Sequence, residues 1–267
     1  MRNALTAMRA SRCALRIGAV ALMLASSMTH ALPRSLEAVE QRGSLALCAH
    51  PNALPYSSKR GPVPGFQIEL AEAIAERLSV MLTRHWVINT FQYRRADCDV
   101  VLNAIADKAA LAEVGLRMSR PYHRTGVVLA VREDSEVSSL TDLGPAHRVG
   151  VQVGSLASMN LSKRGVGITP YVFEDEMIEA VVDREIEAAA VTPVAVGWFN
   201  ANHANTRVRA IPAFAQEADL NWNVSIGMVK PDEKLTTRIN AAVDEMLADG
   251  TIRRIYARYG LELEVPQ

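Results

Sequence analysis

The sequence lacks an apolar run long enough to cross a membrane as a helix. The stretch from Ile17 to Ala25 is the N-terminal apolar segment, and it has about half of the roughly 20 residues that a bilayer span requires. Four arginines and no acidic residue precede it, and small and polar residues ending at Ala31 follow it. This order is typical of a secretory signal peptide, so we expect residues 1–31 to be removed and the mature chain to lie in the periplasm without stable membrane insertion. The alternative is an uncleaved membrane anchor.

The sequence also lacks an excess of basic residues. The whole chain has 29 Lys and Arg residues and 29 Asp and Glu residues, so removal of the four N-terminal arginines leaves 25 basic against 29 acidic residues and a net charge of −4. The mature chain has no basic run and no stripe of arginines interleaved with aromatic residues. These features argue against nucleic acid as a partner.

Cysteine is scarce, with three residues in the whole chain. Cys13 lies before the apolar segment, where a lipid-modified cysteine would not stand. The mature chain keeps Cys48 and Cys98, and an even pair in an oxidising compartment predicts a disulfide. A metal pair and two buried thiols are the alternatives, although His50 is too close to Cys48 for a typical tetrahedral site.

Motifs typical of an enzyme are also missing. The segment from Gly154 to Ser158 has no second glycine and so does not form a nucleophile elbow, and the histidines show no metal-ligand spacing. The acidic run from Glu174 to Glu176 stands at a predicted helix start, where it suits the helix dipole. We therefore expect a protein that is not an enzyme and needs no cofactor, with an enzyme kept as the alternative.

What the mature chain does contain is an alternation of strands and helices. Apolar residues spaced at four, Phe66, Leu70 and Ile74, predict a helix, and similar patterns begin at Ser155, Glu174, Pro193, Asp232 and Ile252. Predicted strands are Ser44–Ala49, Val80–Ile88, Cys98–Leu102, Thr125–Arg132, His147–Val153, Ile168–Phe173, Ile186–Val191 and Asn223–Val229. Such alternation predicts α/β architecture with parallel sheets whose faces are covered.

The order of elements suggests two lobes. If the chain crosses once near residues 122–126 and again near residues 220–224, residues 32–123 and 222–267 form lobe 1, and residues 124–221 form lobe 2. Two crossings between the lobes make a hinge.

Several motifs in this order resemble family 3 of the bacterial extracellular solute-binding proteins. They include Leu54-Pro55-Tyr56, the Gly65-Phe66 helix start, Cys98-Asp99-Val100-Val101, Ser119-Arg120-Pro121-Tyr122 and the closing segment from Ala248 to Tyr256. The resemblance implies the two-lobed type II periplasmic binding protein fold. It also implies a small-molecule ligand between the lobes and an ABC permease as the partner.

A narrower resemblance is to the binding-protein-like component associated with quinoprotein methanol dehydrogenases. It rests on the segments 47–56 (LCAHPNALPY), 95–101 (RADCDVV) and 192–198 (TPVAVGW), and the chain departs from it at His50 and Thr192. This resemblance implies an accessory factor of a periplasmic quinoprotein alcohol or methanol dehydrogenase. The alternative is the substrate-binding component of an ABC importer for a small solute other than an amino acid.

The ligand clamp of the family's amino acid binders is missing from the sequence. In those proteins an Arg holds the ligand carboxylate and an acid holds its ammonium group, but residues 106–113 contain no Arg and Thr192 stands where the acid would follow its strand. The Gly154-Ser155 pair opens a predicted helix, which suits either an oxygen ligand or a simple helix cap. The ligand-binding candidates at the strand ends are Asn52, Tyr56, Asn103, Gly154, Ser155 and Thr192.

Overall fold

The computed structural model describes residues 34–88, 92, 95–105 and 116–266. The expected signal peptide, residues 1–31, and the segment 106–113 considered for a ligand clamp lie outside the described residues. Within the described part of the chain, no helix combines the length and the apolar character needed to cross a membrane.

The first sheet has the strand order β4-β1-β5-β13-β6, and β7 also pairs with β13. Strand β1 runs parallel to β4 and β5, whereas β13 runs antiparallel to β5, β6 and β7. A short antiparallel pair, β2 with β3, lies in the loop after β1. The strand bounds are β1 Ser44–Ala49, β2 Asn52–Ala53, β3 Ser57–Ser58, β4 Met81–Trp86, β5 Val100–Ile105, β6 Leu116–Met118, β7 His123–Gly126 and β13 Asn221–Val229.

Helices cover this sheet and bury their apolar stripes against it. Phe66, Leu70 and Ile74 are each 1% exposed, as their spacing of four predicts for one helix face. Burying each such side chain stabilises the fold by about 2 kcal/mol. The helix bounds are α1 Leu36–Arg42, α2 Phe66–Arg77, α6 Glu233–Ala248 and α7 Thr251–Arg258.

The second sheet has the strand order β10-β9-β11-β8-β12. Strands β10, β9 and β11 are parallel, while β8 runs antiparallel to β11 and β12. Its strands are β8 Val128–Arg132, β9 Val149–Gln152, β10 Ile168–Tyr171, β11 Ala188–Val191 and β12 Val208–Ile211, and its helices are α3 Leu156–Lys163, α4 Glu174–Val182 and α5 Pro193–Asn202.

Two expectations from the sequence are wrong in detail. The single strand predicted over Thr125–Arg132 is two strands, because β7 pairs with β13 in the first sheet and β8 pairs with β11 in the second. The sheets are mixed and not purely parallel, because β13 and β8 each enter antiparallel to a neighbour.

The two crossings between the sheets lie side by side. The backbone N–H of Val127 donates to the carbonyl of Leu220 at 2.9 Å. A Cβ on Gly126 would lie 2.5 Å from the Leu220 oxygen, so this approach requires glycine. The chain therefore leaves and returns through one narrow passage, which is the geometry expected of a two-strand hinge.

The predicted disulfide is confirmed. Cys48 in β1 and Cys98 just before β5 are bonded, with their Cα atoms 5.5 Å apart. Parallel pairing of β1 with β5, in which Cys48 lies opposite Val101, brings the two segments within disulfide reach. The alternatives of a metal pair and two free thiols are excluded by this bond.

Candidate functional site

The carboxyl ends of β9, β10 and β11 meet at one edge of the second sheet, because these three strands are parallel neighbours. The residues that follow them are Val153 to Ser155, Val172 to Glu174, and Thr192. In open α/β sheets, ligands bind outside this edge. Three of the six ligand-binding candidates from the sequence, Gly154, Ser155 and Thr192, therefore lie together on the second sheet.

Thr192 caps helix α5 and also donates to a carboxylate. Its Oγ1 accepts from the backbone N–H of Ala195 at 3.3 Å, and Pro193 occupies the first helical position. Its backbone N–H donates to Oε1 of Glu174 at 2.6 Å, and its hydroxyl donates to Oε2 at 2.9 Å. A carboxylate therefore stands at the strand end where the sequence shows a threonine.

Glu174 is the first residue of α4, and its side chain reaches across to the end of β11. Burial raises the pKa of its carboxyl above the ordinary value, while the hydrogen bonds from the backbone and hydroxyl of Thr192 act in the opposite direction. The neighbouring Asp175 adds a further rise. The sequence pattern assigned Glu174 to the helix dipole alone, and its reach to Thr192 was missed.

Tyr56, in the loop that follows β1 of the first sheet, lies near the same place. Burial raises the pKa of its phenol above the ordinary value, the nearby charge of Glu174 adds to this rise, and the side chain of Thr192 acts in the opposite direction. The ring packs on Phe66, with centroids 5.1 Å apart. Tyr56, Thr192 and Glu174 thus form a polar cluster contributed by the loop after β1 and by the carboxyl edge of the second sheet.

The start of α2 holds Tyr56 in position. The backbone N–H groups of Phe66 and Gln67, which have no partner inside the helix, donate to the carbonyls of Pro55 and Tyr56 at 2.9 and 3.0 Å. A Cβ on Gly65 would lie 2.4 Å from the Tyr56 oxygen. Glycine at this turn therefore lets the helix start and the Tyr56 loop meet at backbone distance.

Behind Tyr56 lies a group of buried aromatic residues that the sequence analysis did not name as site residues. Phe66 is centred 5.2 Å from Tyr256 and 6.1 Å from Tyr259. Tyr122, from the Ser119-Arg120-Pro121-Tyr122 turn, lies beside Tyr256. These rings form the floor behind the polar cluster.

The Gly154-Ser155 pair has the geometry of a helix start. Gly154 has a φ of +70°, and Ser155 caps α3 by accepting from the backbone N–H of Ser158 at 3.1 Å. The sequence left two interpretations of this pair open, an oxygen-ligand site and a simple helix cap, and the structure shows the cap. An oxygen ligand at the same turn stays a prediction.

The remaining candidates are placed differently. Asn52 is exposed in β2, where its backbone N–H donates to Nδ1 of His50 at 3.1 Å. Asn103 belongs to β5, but its side chain lies outside what the structure describes. Among the described residues, no group of three or more His, Cys, Asp and Glu side chains is arranged to hold a metal ion.

A family model described as bacterial extracellular solute-binding proteins, family 3, matches residues 45–262. The histidine-binding periplasmic protein of Escherichia coli (strain K12) is 22% identical over 222 residues, which cover 78% of this chain and 84% of that protein. The membrane-bound lytic murein transglycosylase F of Desulfosudis oleivorans is 27% identical over 237 residues, 85% of this chain and 50% of that enzyme. The similar proteins are mostly named as binding proteins, in line with the expectation that the chain is not an enzyme.

Solved structures show the same fold. An ancestral cationic amino acid solute-binding protein has a TM-score of 0.71 at 21% identity, covering 84% of this chain and 99% of that one. The L-cystine solute receptor of Neisseria gonorrhoeae in its unliganded open conformation has a TM-score of 0.70 at 18% identity, covering 87% and 98%. The predicted two-lobed type II periplasmic binding protein fold is therefore confirmed.

Proposed function

The chain belongs to family 3 of the bacterial extracellular solute-binding proteins, and on that premise we propose that it is the substrate-binding component of an ABC importer. Residues 32–123 with 222–267 would form one lobe and residues 124–221 the other. After removal of residues 1–31, the protein would capture a small solute in the periplasm. It would then present both closed lobes to an ABC permease.

The observation that carries this proposal is the polar cluster of Tyr56, Thr192 and Glu174. Tyr56 comes from the loop that follows β1 of the first sheet, and the other two residues come from the carboxyl edge of the second. A solute held by this cluster would touch both lobes and so favour the closed state over the open one. The missing Arg in residues 106–113 supports a solute other than an α-amino acid.

A thermal-shift screen of residues 32–267 tests the proposal. The screen should contain amines, organic acids, sugars and amino acids. A ligand present at 100 times its Kd stabilises the folded chain by about 2.7 kcal/mol, which is a shift of several degrees. A screen in which no compound raises the melting temperature would contradict solute binding.

The narrower resemblance supplies a second candidate function, an accessory factor of a quinoprotein alcohol dehydrogenase. The observation that favours it is the Cys48–Cys98 disulfide, which joins two of the three segments that carry that resemblance. Affinity capture with the mature chain from periplasm in which such a dehydrogenase is expressed tests it. Recovery of the dehydrogenase would support this function, and its absence from the captured fraction would argue against it.

A further inference from the structure

Among the described residues, the hydrogen bonds to the carboxylate of Glu174 come from neutral donors. Thr192 donates to both of its oxygens, and the phenol of Tyr56 lies beside them. In the part of the chain that the structure describes, Glu174 forms no ion pair. Because a partly buried carboxylate gains from a neighbouring cation, this arrangement leaves a place for a positive charge from outside the protein.

Apolar side chains next to this carboxylate are unusually exposed. Val153, Leu156, Val172 and Phe173 are 65, 51, 58 and 59% exposed. They lie together, because the N–H of Val153 donates to the carbonyl of Tyr171 at 3.0 Å and Phe173 directly precedes Glu174 in the chain. A cluster of exposed apolar residues on a protein surface marks a place where something apolar binds.

The carboxyl ends of two parallel strands of the first sheet are apolar as well. Ile88, just after β4, is 71% exposed, and Ile105, at the end of β5, is 49% exposed. No Lys or Arg stands in the segments that follow β9, β10 and β11, which are residues 153–155, 172–174 and 192–193. The edge therefore offers a negative charge and apolar surface, and no basic side chain in these segments to pair with an anion.

We infer that the solute is an organic cation, a protonated amine with an apolar body and no carboxylate. This inference rests on the proposed function and names its substrate class. The ammonium group donates to Glu174 and to the phenol oxygen of Tyr56, and lies close enough to the Tyr56 ring for a cation–π contact. The apolar body lies over Val153 and Phe173.

Four matched probes test the inference by calorimetric titration of residues 32–267. Phenethylamine carries both features, 3-phenylpropionate replaces the ammonium with a carboxylate, phenylalanine adds a carboxylate, and ethylamine lacks most of the apolar body. We expect phenethylamine to bind at least tenfold more tightly than each of the other three. Equal affinity for 3-phenylpropionate or phenylalanine would overturn the inference.

Three variants test whether the amine is bound by this site or attracted by the negative charge of the protein in general. Glu174→Gln should lower the affinity for phenethylamine at least tenfold, and Phe173→Ser should lower it severalfold. Glu176 is exposed at the same helix start, so Glu176→Gln should change the affinity by less than about twofold. If Glu174→Gln fails to fold, the wild-type chain gives the answer. Its affinity for phenethylamine should fall as the pH is lowered and Glu174 is protonated. The titratable groups that face Glu174 are Asp175 and Tyr56.

The outcomes also separate this inference from the proposed function. If none of the four probes binds but another solute in the wider screen does, solute binding holds and the amine inference is wrong. The same conclusion follows if a solute binds the Glu174→Gln variant as well as the wild type. If no compound binds at all, the proposed function itself is contradicted.

Discussion

Glu174 and Thr192, eighteen positions apart in the chain, are joined by two hydrogen bonds in which both the backbone N–H and the hydroxyl of Thr192 donate to one carboxylate. This pairing ties the start of α4 to the start of α5 at the carboxyl edge of the second sheet. It places an acid where the sequence alone shows a hydroxyl. If partial burial of this acid lowers the stability of the folded chain, the free energy of unfolding should depend on the protonation of Glu174.

Glu174→Gln should change how stability depends on pH. Burial raises the pKa of Glu174, so the folded chain holds this proton more strongly than the unfolded chain does. This group's contribution to stability therefore falls as the pH rises from its ordinary value, near 4.5, through the raised folded value. Melting temperatures from pH 4 to pH 8 should show the variant gaining on the wild type as the pH increases.

Glu176→Gln is the control for this series, because Glu176 is exposed on the same turn. Its melting curve should stay parallel to that of the wild type. A Glu174→Gln difference that is constant over the whole pH range would contradict a buried carboxylate at this position.

The Cys48–Cys98 disulfide should contribute strongly to stability. It closes a loop with a sequence separation of 50, which the chain-entropy model converts to about 4 kcal/mol. The double variant Cys48→Ala/Cys98→Ala should lose a large part of that free energy of unfolding in a urea titration, with the sheet still formed. A loss below about 1 kcal/mol would show that the bond constrains the unfolded chain little.

Asp99 should matter far more than its neighbour Asp97, although both pair with Arg34. Asp99 is fully buried, receives the N–H of Ala46 at 2.7 Å and also pairs with Arg42, so Asp99→Ala leaves a buried donor unsatisfied and should cost about 2–4 kcal/mol. Asp97→Asn removes a mostly exposed ion pair, keeps a side chain that tolerates the left-handed φ of +56° at this position, and should cost less than about 1 kcal/mol. Similar losses for both variants in denaturant titrations would be evidence against the buried ion pair.

Gly197 should not tolerate a side chain. It lies in α5, and a Cβ there would stand 2.4 Å from the carbonyl oxygen of Gly260, where the C-terminal segment passes α5. Gly197→Ala should therefore destabilise the chain by about 1–3 kcal/mol. Gly144→Ala, where a Cβ meets nothing within 4 Å, is the matched control and should be close to neutral. If the two variants melt alike, the contact between α5 and the C-terminal segment is not present in solution.

Much of the fold could be predicted because its signals are local. The spacing of Phe66, Leu70 and Ile74 is a helix pattern wherever the helix lies, and an even number of cysteines in an exported chain already favours a bond between Cys48 and Cys98. The split of Thr125–Arg132 could not be predicted in this way. The residues before and after Val127 show the same strand pattern. Only pairing with strands that are distant in the chain decides which sheet each half joins.

Part of the candidate site could also be predicted from local signals in the sequence. Tyr56, Gly154, Ser155 and Thr192 follow strands, so their place at a sheet edge could be inferred from order alone. The reach of Glu174 to Thr192 depends on how α4 packs beside α5, and a helix-dipole role already accounted for an acid at that position. Tyr122 and Tyr256 belong to distant segments that only the folded first lobe brings together.

A crystal structure of residues 32–267 with the solute found by screening tests the central claim most directly. The account predicts density for one solute molecule in contact with Tyr56 on one lobe and with Thr192 and Glu174 on the other. A solute bound elsewhere, without contact to Tyr56, Thr192 or Glu174, would contradict it.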